Sequence, residues 1–310
     1  MGFAVTLRHK GLRLSSEFPW KISIVSFMAY PGMMQEKGDV VGDLLRILDD
    51  SFFDAVEVPS IGSADWDRVK RYLSEKTFAR GLQPDILTNK LDLNAPDASK
   101  RREAIGRIKS EIDLVSGRGM RMMGLCSGPD PGIDKRREAT ENLVQSLIEI
   151  CKHASQRKVR LALETFDRDH DKKLLIGPLA EAIDVVSKVR EHCDNIGLMW
   201  DLSHAPMLKE MPEDLKRAAD VLAHIHVGCT KKTDGALVDT HPGFYTKGAV
   251  NSESDVARLL RVLLEINYGG MVGFEVKPEP HQTSEEIVST AKGVLVSAYQ
   301  GVVSSFLKET

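Results

Sequence analysis

The sequence predicts a single (β/α)8 barrel, and two patterns and one absence favour it. Short apolar runs rich in β-branched residues alternate with longer stretches of helical periodicity along the chain. Such alternation is typical of repeated strand–helix units around a parallel sheet. Eight predicted strands, each followed by a predicted helix, are the number that closes such a barrel, and 310 residues suffice for it. No GxGxxG turn follows the first strand, so an open doubly wound sheet is the weaker alternative.

The predicted elements follow one another without long gaps. The strands cover residues 21–27, 53–59, 84–89, 120–126, 159–166, 196–203, 222–229 and 271–276. The helices cover residues 38–50, 64–75, 98–115, 134–156, 178–192, 212–220, 252–266 and 283–305. No linker rich in Pro, Gly or Ser divides the chain, so we assign residues 21–310 to one barrel domain and residues 1–20 to an N-terminal extension of unknown role.

Charge and segment composition exclude several classes of partner. The formal net charge of −3 gives no overall attraction to nucleic acid or to an anionic membrane. The sequence contains no apolar segment of about 18 residues and no signal-peptide pattern. Four scattered cysteines without a CxxC motif suit free thiols in a reducing compartment. We therefore predict a cytoplasmic protein with a small-molecule carbohydrate substrate and neither nucleic-acid nor membrane partners, and leave a homo-oligomer open.

Polar residues end the fifth to the eighth predicted strands. Glu164 ends the fifth strand, Asp201 the sixth and Glu275 the eighth, and His226 lies near the end of the seventh. Strand alternation directs these side chains inward and their bulky neighbours toward the helices. Because catalytic groups of such barrels lie at the C-terminal ends of the strands, we expect the four side chains to meet at one point.

Three carboxylates at one point repel each other unless a cation lies among them. Oxygen-rich ligation with one imidazole suits Mn²⁺, Mg²⁺ or Co²⁺, with Zn²⁺ as an alternative. The sequence therefore predicts one divalent metal ion bound by Glu164, Asp201, His226 and Glu275. Any one of these residues alone would be explained by a salt bridge, but four on successive strands in inward register favour the metal.

The series Glu, Asp-x-x-His, His and Glu on strands five to eight resembles the xylose isomerase-like TIM barrel superfamily. That superfamily includes ketose 3-epimerases, hydroxypyruvate isomerases, inosose dehydratases and type IV endonucleases. The resemblance is greatest to the epimerase branch, and it implies that Glu164 and Glu275 bind metal and exchange protons with a sugar. It also implies that Asp201 and His226 complete the metal site. His204, three residues after Asp201, is implied to contact a substrate oxygen.

Two features of the sequence bear on which branch of the superfamily it resembles. The epimerases carry an arginine six residues after the seventh-strand histidine, where this chain has Lys232. Lys232 is therefore a candidate for substrate binding that keeps the charge without the bidentate geometry. In "VDTHPG", Asp239 and His241 have the spacing that the endonucleases use for an additional zinc, and are candidates for a second metal or loop site. Those enzymes also place histidines after the third and fourth strands, where this chain has "LTNK" and "LCSGPDPG", which argues against a three-zinc site.

Three further residues are candidates for substrate binding, each with a plainer alternative. Glu57, on the second predicted strand, would bind a substrate hydroxyl or else a buried Arg or Lys. Arg168, in the loop after the fifth strand, resembles an arginine of some epimerase loops and would contact sugar or phosphate, or else a neighbouring aspartate. Lys277, just past the eighth strand, would touch substrate or else remain solvated.

Together these residues predict a metal-dependent sugar isomerase or epimerase. A bound cation would polarise a carbonyl and stabilise the enediolate formed beside it. One glutamate would remove a proton and the other would return it to the opposite face or to the neighbouring carbon. The substrate would be a sugar, a sugar phosphate or a related polyol ketone. A lyase of the inosose dehydratase type, a hydrolase of abasic DNA and a non-catalytic sugar-binding barrel are the alternatives.

Overall fold

A barrel of eight parallel strands forms the centre of the computed structural model, which describes residues 2–35 and 38–309. The strands, labelled β1 to β8 in chain order, are Lys21–Ile24, Ala55–Val58, Thr77–Gly81, Met122–Leu125, Arg160–Glu164, Ile196–Asp201, Leu222–Gly228 and Met271–Glu275. From β2 to β8 each strand pairs with the next, and β8 pairs with β1. A bridge between Val25 and Glu57 joins β1 to β2 and nearly completes the ring, which confirms the predicted fold class.

Helices cover the outside of the barrel and bury their apolar faces against it. They are Val40–Leu48, Ser63–Val69, Ala98–Gly117, Arg136–Gln156, Leu179–Arg190, Glu253–Glu265 and Ser284–Glu309, with a 3₁₀ segment at Pro212–Ala218. Shorter helices lie in loops at Ser26–Ala29, Gln83–Thr88 and Ala205–Leu208, and shorter 3₁₀ segments at Pro31–Met34, Lys70–Ser74 and Ile133–Lys135. Within the described residues, no helix combines the length and the apolar character needed to cross a membrane.

The third strand lies earlier in the chain than the sequence predicted. We expected it at residues 84–89, but the strand is Thr77–Gly81 and most of the predicted segment belongs to the helix Gln83–Thr88. Pro84 fits the first turn of a helix, where its missing N–H is not needed. The true strand was hidden by Arg80, a charged residue that is buried because Asp85 and Glu111 pair with it at 2.6 and 3.4 Å.

Two antiparallel hairpins were also not predicted. They are formed by Ala4–His9 with Leu12–Glu17 and by Lys231–Thr233 with Ala236–Val238. Each hairpin turns through two residues with a positive φ angle. The φ angles are 47° at Lys10 and 82° at Gly11 in the first hairpin, and 50° at Asp234 and 85° at Gly235 in the second. Two-residue turns of this kind match the twist of the flanking strands, and Asp-Gly is a favoured pair for them. The Asp234-Gly235 pair was therefore a readable signal for the second hairpin.

Aromatic rings hold the N-terminal segment on the barrel. Phe3 stacks on Phe18 and on Phe52, with ring centroids 4.8 and 5.5 Å apart. Phe18 meets Trp20 and Tyr299 edge-on at 5.3 and 5.2 Å. Because Trp20 precedes β1 and Phe52 precedes β2, the cluster lies at the N-terminal end of the barrel, opposite the strand ends that carry the predicted site.

Replacing Phe18 with alanine should lower the free energy of unfolding by about 3–5 kcal/mol, the cost of emptying a buried aromatic site. Urea denaturation followed by circular dichroism measures the change. Ile133→Ala, at a side chain that is 73% exposed, is the control and should stay within about 0.5 kcal/mol of wild type. A Phe18 effect as small as that of the control would show that the aromatic cluster does not hold the segment.

Candidate active site

The C-terminal ends of β5 to β8 bring Glu164, Asp201, His226 and Glu275 together. Each offers one ligand atom, and these four atoms lie within 4.8 Å of one another. Strand register accounts for part of this convergence, because Asp201 on β6 pairs directly with His226 on β7. Glu164, Asp201 and His226 are almost completely buried, and Glu275 is slightly more open.

Three atoms of this cluster have no hydrogen-bond partner among the described residues: Glu164 Oε1, His226 Nδ1 and Glu275 Oε2. His226 Nδ1 lies 2.6 Å from Glu275 Oε2 and 3.8 Å from Glu164 Oε1, so all three face one point. Burying a polar atom without a partner costs free energy. A divalent cation at that point would satisfy all three atoms, and a set of three carboxylates and one imidazole suits such an ion. The residues present therefore fit the predicted metal.

A tight turn after β6 fixes the carboxylate of Asp201. The backbone N–H of Ser203 donates to Asp201 Oδ1 at 2.8 Å, and the Ser203 hydroxyl donates to Oδ2. Burial alone would raise the pKa of Asp201, but the imidazoles of His204 and His241 outweigh it and hold that pKa below its usual range. Asp201 therefore stays ionised in the interior.

A second group of unpartnered atoms lies beside the first and contains the two residues of the predicted loop site. Asp239 Oδ1 is 3.3 Å from His204 Nε2 and 3.0 Å from His241 Nδ1, and no hydrogen bond is formed by these three atoms within the described chain. Burial would lower the pKa of His241, but Glu275 and Asp239 raise it to about 9. Burial likewise opposes a charge on His204, and Asp239 and Asp201 raise its pKa well above the usual value.

Glu57 on β2 is buried beneath this cluster and is bound by histidines. Its carboxylate lies 2.9 Å from His224 Nε2 and 3.1 Å from His226 Nε2, and it accepts a hydrogen bond from the Ser23 hydroxyl at 3.0 Å. Burial would raise the pKa of Glu57, but the two imidazoles hold it well below its usual range. The partner of this buried acid is therefore histidine and not the arginine or lysine considered from the sequence.

A cavity of about 300 Å³ opens onto the cluster. Glu57, Glu164, His226 and Glu275 line its polar side. The lining also includes a group of apolar residues: Val25, Phe27, Met28, Pro84, Leu87 and Phe166. Among the predicted substrate-binding residues, Glu57 lines the cavity, and Lys277 lines it with an exposed side chain.

The structure does not bring the other predicted substrate contacts to the cavity wall. Arg168 is buried and turns to Glu181, to which it donates two hydrogen bonds of 2.8 and 2.6 Å, so its partner is not a neighbouring aspartate. Lys232 is exposed in the hairpin that follows β7 and is absent from the cavity lining. His204 lies behind the wall, where its Nδ1 is 2.7 Å from the Thr165 carbonyl oxygen.

Two cavity residues were missed by the sequence reasoning. Gln83, just past β3, donates a hydrogen bond of 2.7 Å to Glu164 Oε2, and it was overlooked because the third strand was placed too late. Lys172, in the loop after β5, lies 3.4 Å from Asp239 Oδ2. Burial would lower the pKa of Lys172, but Asp239 and Asp171 outweigh it and raise that pKa. The segment that follows the corrected third strand begins with Leu82 and Gln83, so it does not supply the histidine that the endonucleases place there.

Comparison with known proteins shows similarity to one barrel family and to proteins named as isomerases or epimerases. The model of a family described as xylose isomerase-like TIM barrel matches residues 47–292. An inosose isomerase of Bacillus licheniformis is 24% identical over 272 residues, which cover 83% of this chain and 90% of that protein. An L-ribulose 3-epimerase superposes with a TM-score of 0.72 at 18% identity, covering 91% of this chain and 96% of that chain. The IOLI protein with a binding zinc atom gives a TM-score of 0.69 at 19% identity, with 90% and 97% covered.

Replacing Gln83 with leucine should raise the pKa of Glu164 further, because the amide N–H of Gln83 stabilises the charged carboxylate. Burial already raises this pKa. A ¹³C NMR titration of metal-free protein, with the carboxyl signal assigned through Glu164→Gln, measures the shift. Gln145→Leu, at an exposed position of the helix Arg136–Gln156, is the matched control. An unchanged Glu164 pKa in Gln83→Leu would contradict this role.

Proposed function

Because the chain belongs to the xylose isomerase-like TIM barrel family, we propose that it is a metal-dependent isomerase or epimerase of a sugar, sugar phosphate or related polyol ketone. The observation that carries this proposal is the meeting of three carboxylates and one imidazole at the inner end of the cavity, with unpartnered atoms that face each other. The similar inosose isomerase and L-ribulose 3-epimerase carry names of the same reaction class.

Glu164, Asp201, His226 and Glu275 would hold one divalent ion, which is Mn²⁺, Mg²⁺ or Co²⁺, with Zn²⁺ as the alternative. When bound, such an ion supplies polarisation of a carbonyl and stabilises negative charge beside it. Asp201 contributes a permanent charge, because Ser203 and two histidines stabilise its ionised form. With an ion bound, His226 would contribute the lone pair of Nδ1, while Glu57 holds the ring at its other nitrogen.

Glu164 and Glu275 would transfer the proton. Gln83 binds Oε2 of Glu164 and leaves Oε1 facing the cluster, so the carboxylate has one defined orientation. Burial raises the pKa of Glu164, which makes it a stronger base once ionised. Glu275 extends from β8, which β6 and β7 separate from β5, so the two carboxylates can approach a substrate from different directions. Return of a proton to the opposite face of the same carbon gives epimerisation, and return to the neighbouring carbon gives isomerisation.

The cavity walls would position the substrate. Phe27, Leu87 and Phe166 exclude water from one side, which strengthens electrostatic interactions within the cavity. Lys277 lines the cavity with an exposed side chain, and the described residues give its ammonium group no ion-pair partner. We assign Lys277 to a substrate oxygen or to a phosphate on the distal end of the substrate.

A metal-dependent hydrolase is the second candidate, and the group formed by His204, Asp239 and His241 is the observation that favours it. These residues present three unpartnered atoms next to the first cluster, and His204 and His241 converge with Asp201 in a set that could hold a second ion. The ends of β3 and β4 carry Gln83 and Ser127 rather than histidines, so a third ion would lack those ligands. The number of ions bound per chain therefore separates the two candidate functions.

Protein purified without chelator should contain about one divalent ion per chain, and Asp201→Ala should lose it, because the variant removes one of four ligands. Elemental analysis measures the content. Asp113→Ala, at a half-exposed carboxylate that pairs with Arg157, is the control and should keep the ion. Two or more zinc ions per chain would favour the hydrolase. No ion, even after addition of Mn²⁺, would refute the metal site.

Glu164→Gln and Glu275→Gln should each slow proton exchange at the carbon beside the carbonyl by about 10²–10⁴-fold, the usual contribution of a general base. ¹H NMR in D₂O with a panel of ketoses, at saturating metal, measures the exchange. Glu149→Gln, at an exposed carboxylate that pairs with Lys109, should exchange at the wild-type rate. Exchange at the wild-type rate in both site variants would exclude these carboxylates as the bases.

A further inference from the structure

Glu57 reaches from β2 across the barrel interior to two histidines of β7. One oxygen, Oε2, lies 3.1 Å from His226 Nε2, and the other, Oε1, lies 2.9 Å from His224 Nε2. Oε1 also accepts the hydrogen bond from the Ser23 hydroxyl at 3.0 Å. Both oxygens of this buried carboxylate are therefore engaged by the protein, which leaves it little capacity to bind a substrate hydroxyl.

Gly273 provides the space for this contact. On β8 it pairs with Ser23 of β1 on one side and with His226 of β7 on the other, so the three residues lie at one level of the barrel. A Cβ at this glycine would overlap the Ser23 hydroxyl and would lie 3.0 Å from Glu57 Oε1 and 3.2 Å from His226 Cδ2. The absence of a side chain at Gly273 thus allows Glu57 to reach β7.

The two nitrogens of His226 have different surroundings. Nε2 is 3.1 Å from Glu57 Oε2 and can donate its proton there. Nδ1 has no hydrogen-bond partner in the described part of the chain and faces Glu275 and Glu164 at 2.6 and 3.8 Å. A neutral imidazole that donates from one nitrogen presents a lone pair at the other. With an ion at the cluster, the contact with Glu57 therefore selects the tautomer whose Nδ1 lone pair faces the candidate metal ligands.

We propose that Glu57 is a positioning residue that fixes the ring orientation and tautomer of His226, and so sets the affinity of the site for a divalent metal. This inference rests on the proposed function, because its effect is measured on the bound ion. Carboxylates that hold the second nitrogen of a metal-binding histidine orient the ring and raise its basicity. A substrate contact, the role considered from the sequence, would leave metal affinity unchanged.

The test compares Zn²⁺ binding by wild type and Glu57→Gln, measured by competition with a fluorescent chelator. The variant keeps the size of the side chain but loses the charge that stabilises the Nε2 proton, and we expect about 10–100-fold weaker binding. Glu111→Gln is the matched control, because Glu111 is a part-buried carboxylate whose partner is Arg80 and not a histidine. The control should bind Zn²⁺ as wild type does, and thermal unfolding of each metal-free protein reports whether the fold is kept.

A second measurement follows His226 directly in zinc-loaded protein with ¹⁵N-labelled histidine. The proton on Nε2 should resonate far downfield in wild type, because it is donated to a carboxylate, and should move upfield in Glu57→Gln. If Glu57→Gln does not fold, Glu57→Asp replaces it, since it keeps the charge but withdraws it from Nε2. Wild-type Zn²⁺ affinity in the variant would overturn the role of Glu57 while leaving the proposed function intact. Failure of wild type itself to bind either Zn²⁺ or added Mn²⁺ would overturn both.

Discussion

The burial of carboxylates at the C-terminal ends of the strands is the constraint on which the site depends. Each buried carboxylate is costly unless an opposite charge or several hydrogen bonds stabilise it. The chain meets this cost with imidazoles: His224 and His226 at Glu57, and His204 and His241 at Asp201. Glu164 is the exception, because burial raises its pKa in spite of nearby histidines. Of these three carboxylates, Glu164 is therefore the one whose surroundings least favour the anion.

The register of the parallel strands determines which of these charged side chains lie next to one another. Adjacent strands place residues at common levels, and two glycines leave room for side chains that arrive from other elements. Gly273 admits the carboxylate of Glu57, and a Cβ at Gly124 would lie 2.7 Å from Gln83 Nε2. Since neither glycine has a positive φ, close approach and not backbone conformation is the reason for their small size.

These contacts explain how much the sequence could predict. Apolar runs and alternation are local patterns, so they located seven of the strands and directed Glu164, Asp201 and Glu275 inward. The third strand was misplaced because its charged residue, Arg80, is stabilised by Asp85 in the following helix and by the more distant Glu111, which no alternation pattern indicates. The contact between Glu57 and His226 joins strands that are not neighbours in the sheet and passes over Gly273, and no local pattern reports it. The same holds for the pairing of Arg168 with Glu181.

Gln83 and Glu57 each engage one atom of a candidate ligand, Glu164 or His226, and leave its other polar atom without a partner in the described chain. Gln83 engages Oε2 of Glu164 and Glu57 engages Nε2 of His226, so Oε1 and Nδ1 remain to face the cavity. A side chain that is already oriented loses little conformational freedom when it binds an ion or accepts a proton. Glu57 lies on β2 and Gln83 directly follows β3, so the half of the barrel that carries none of the four candidate ligands still orients two of them.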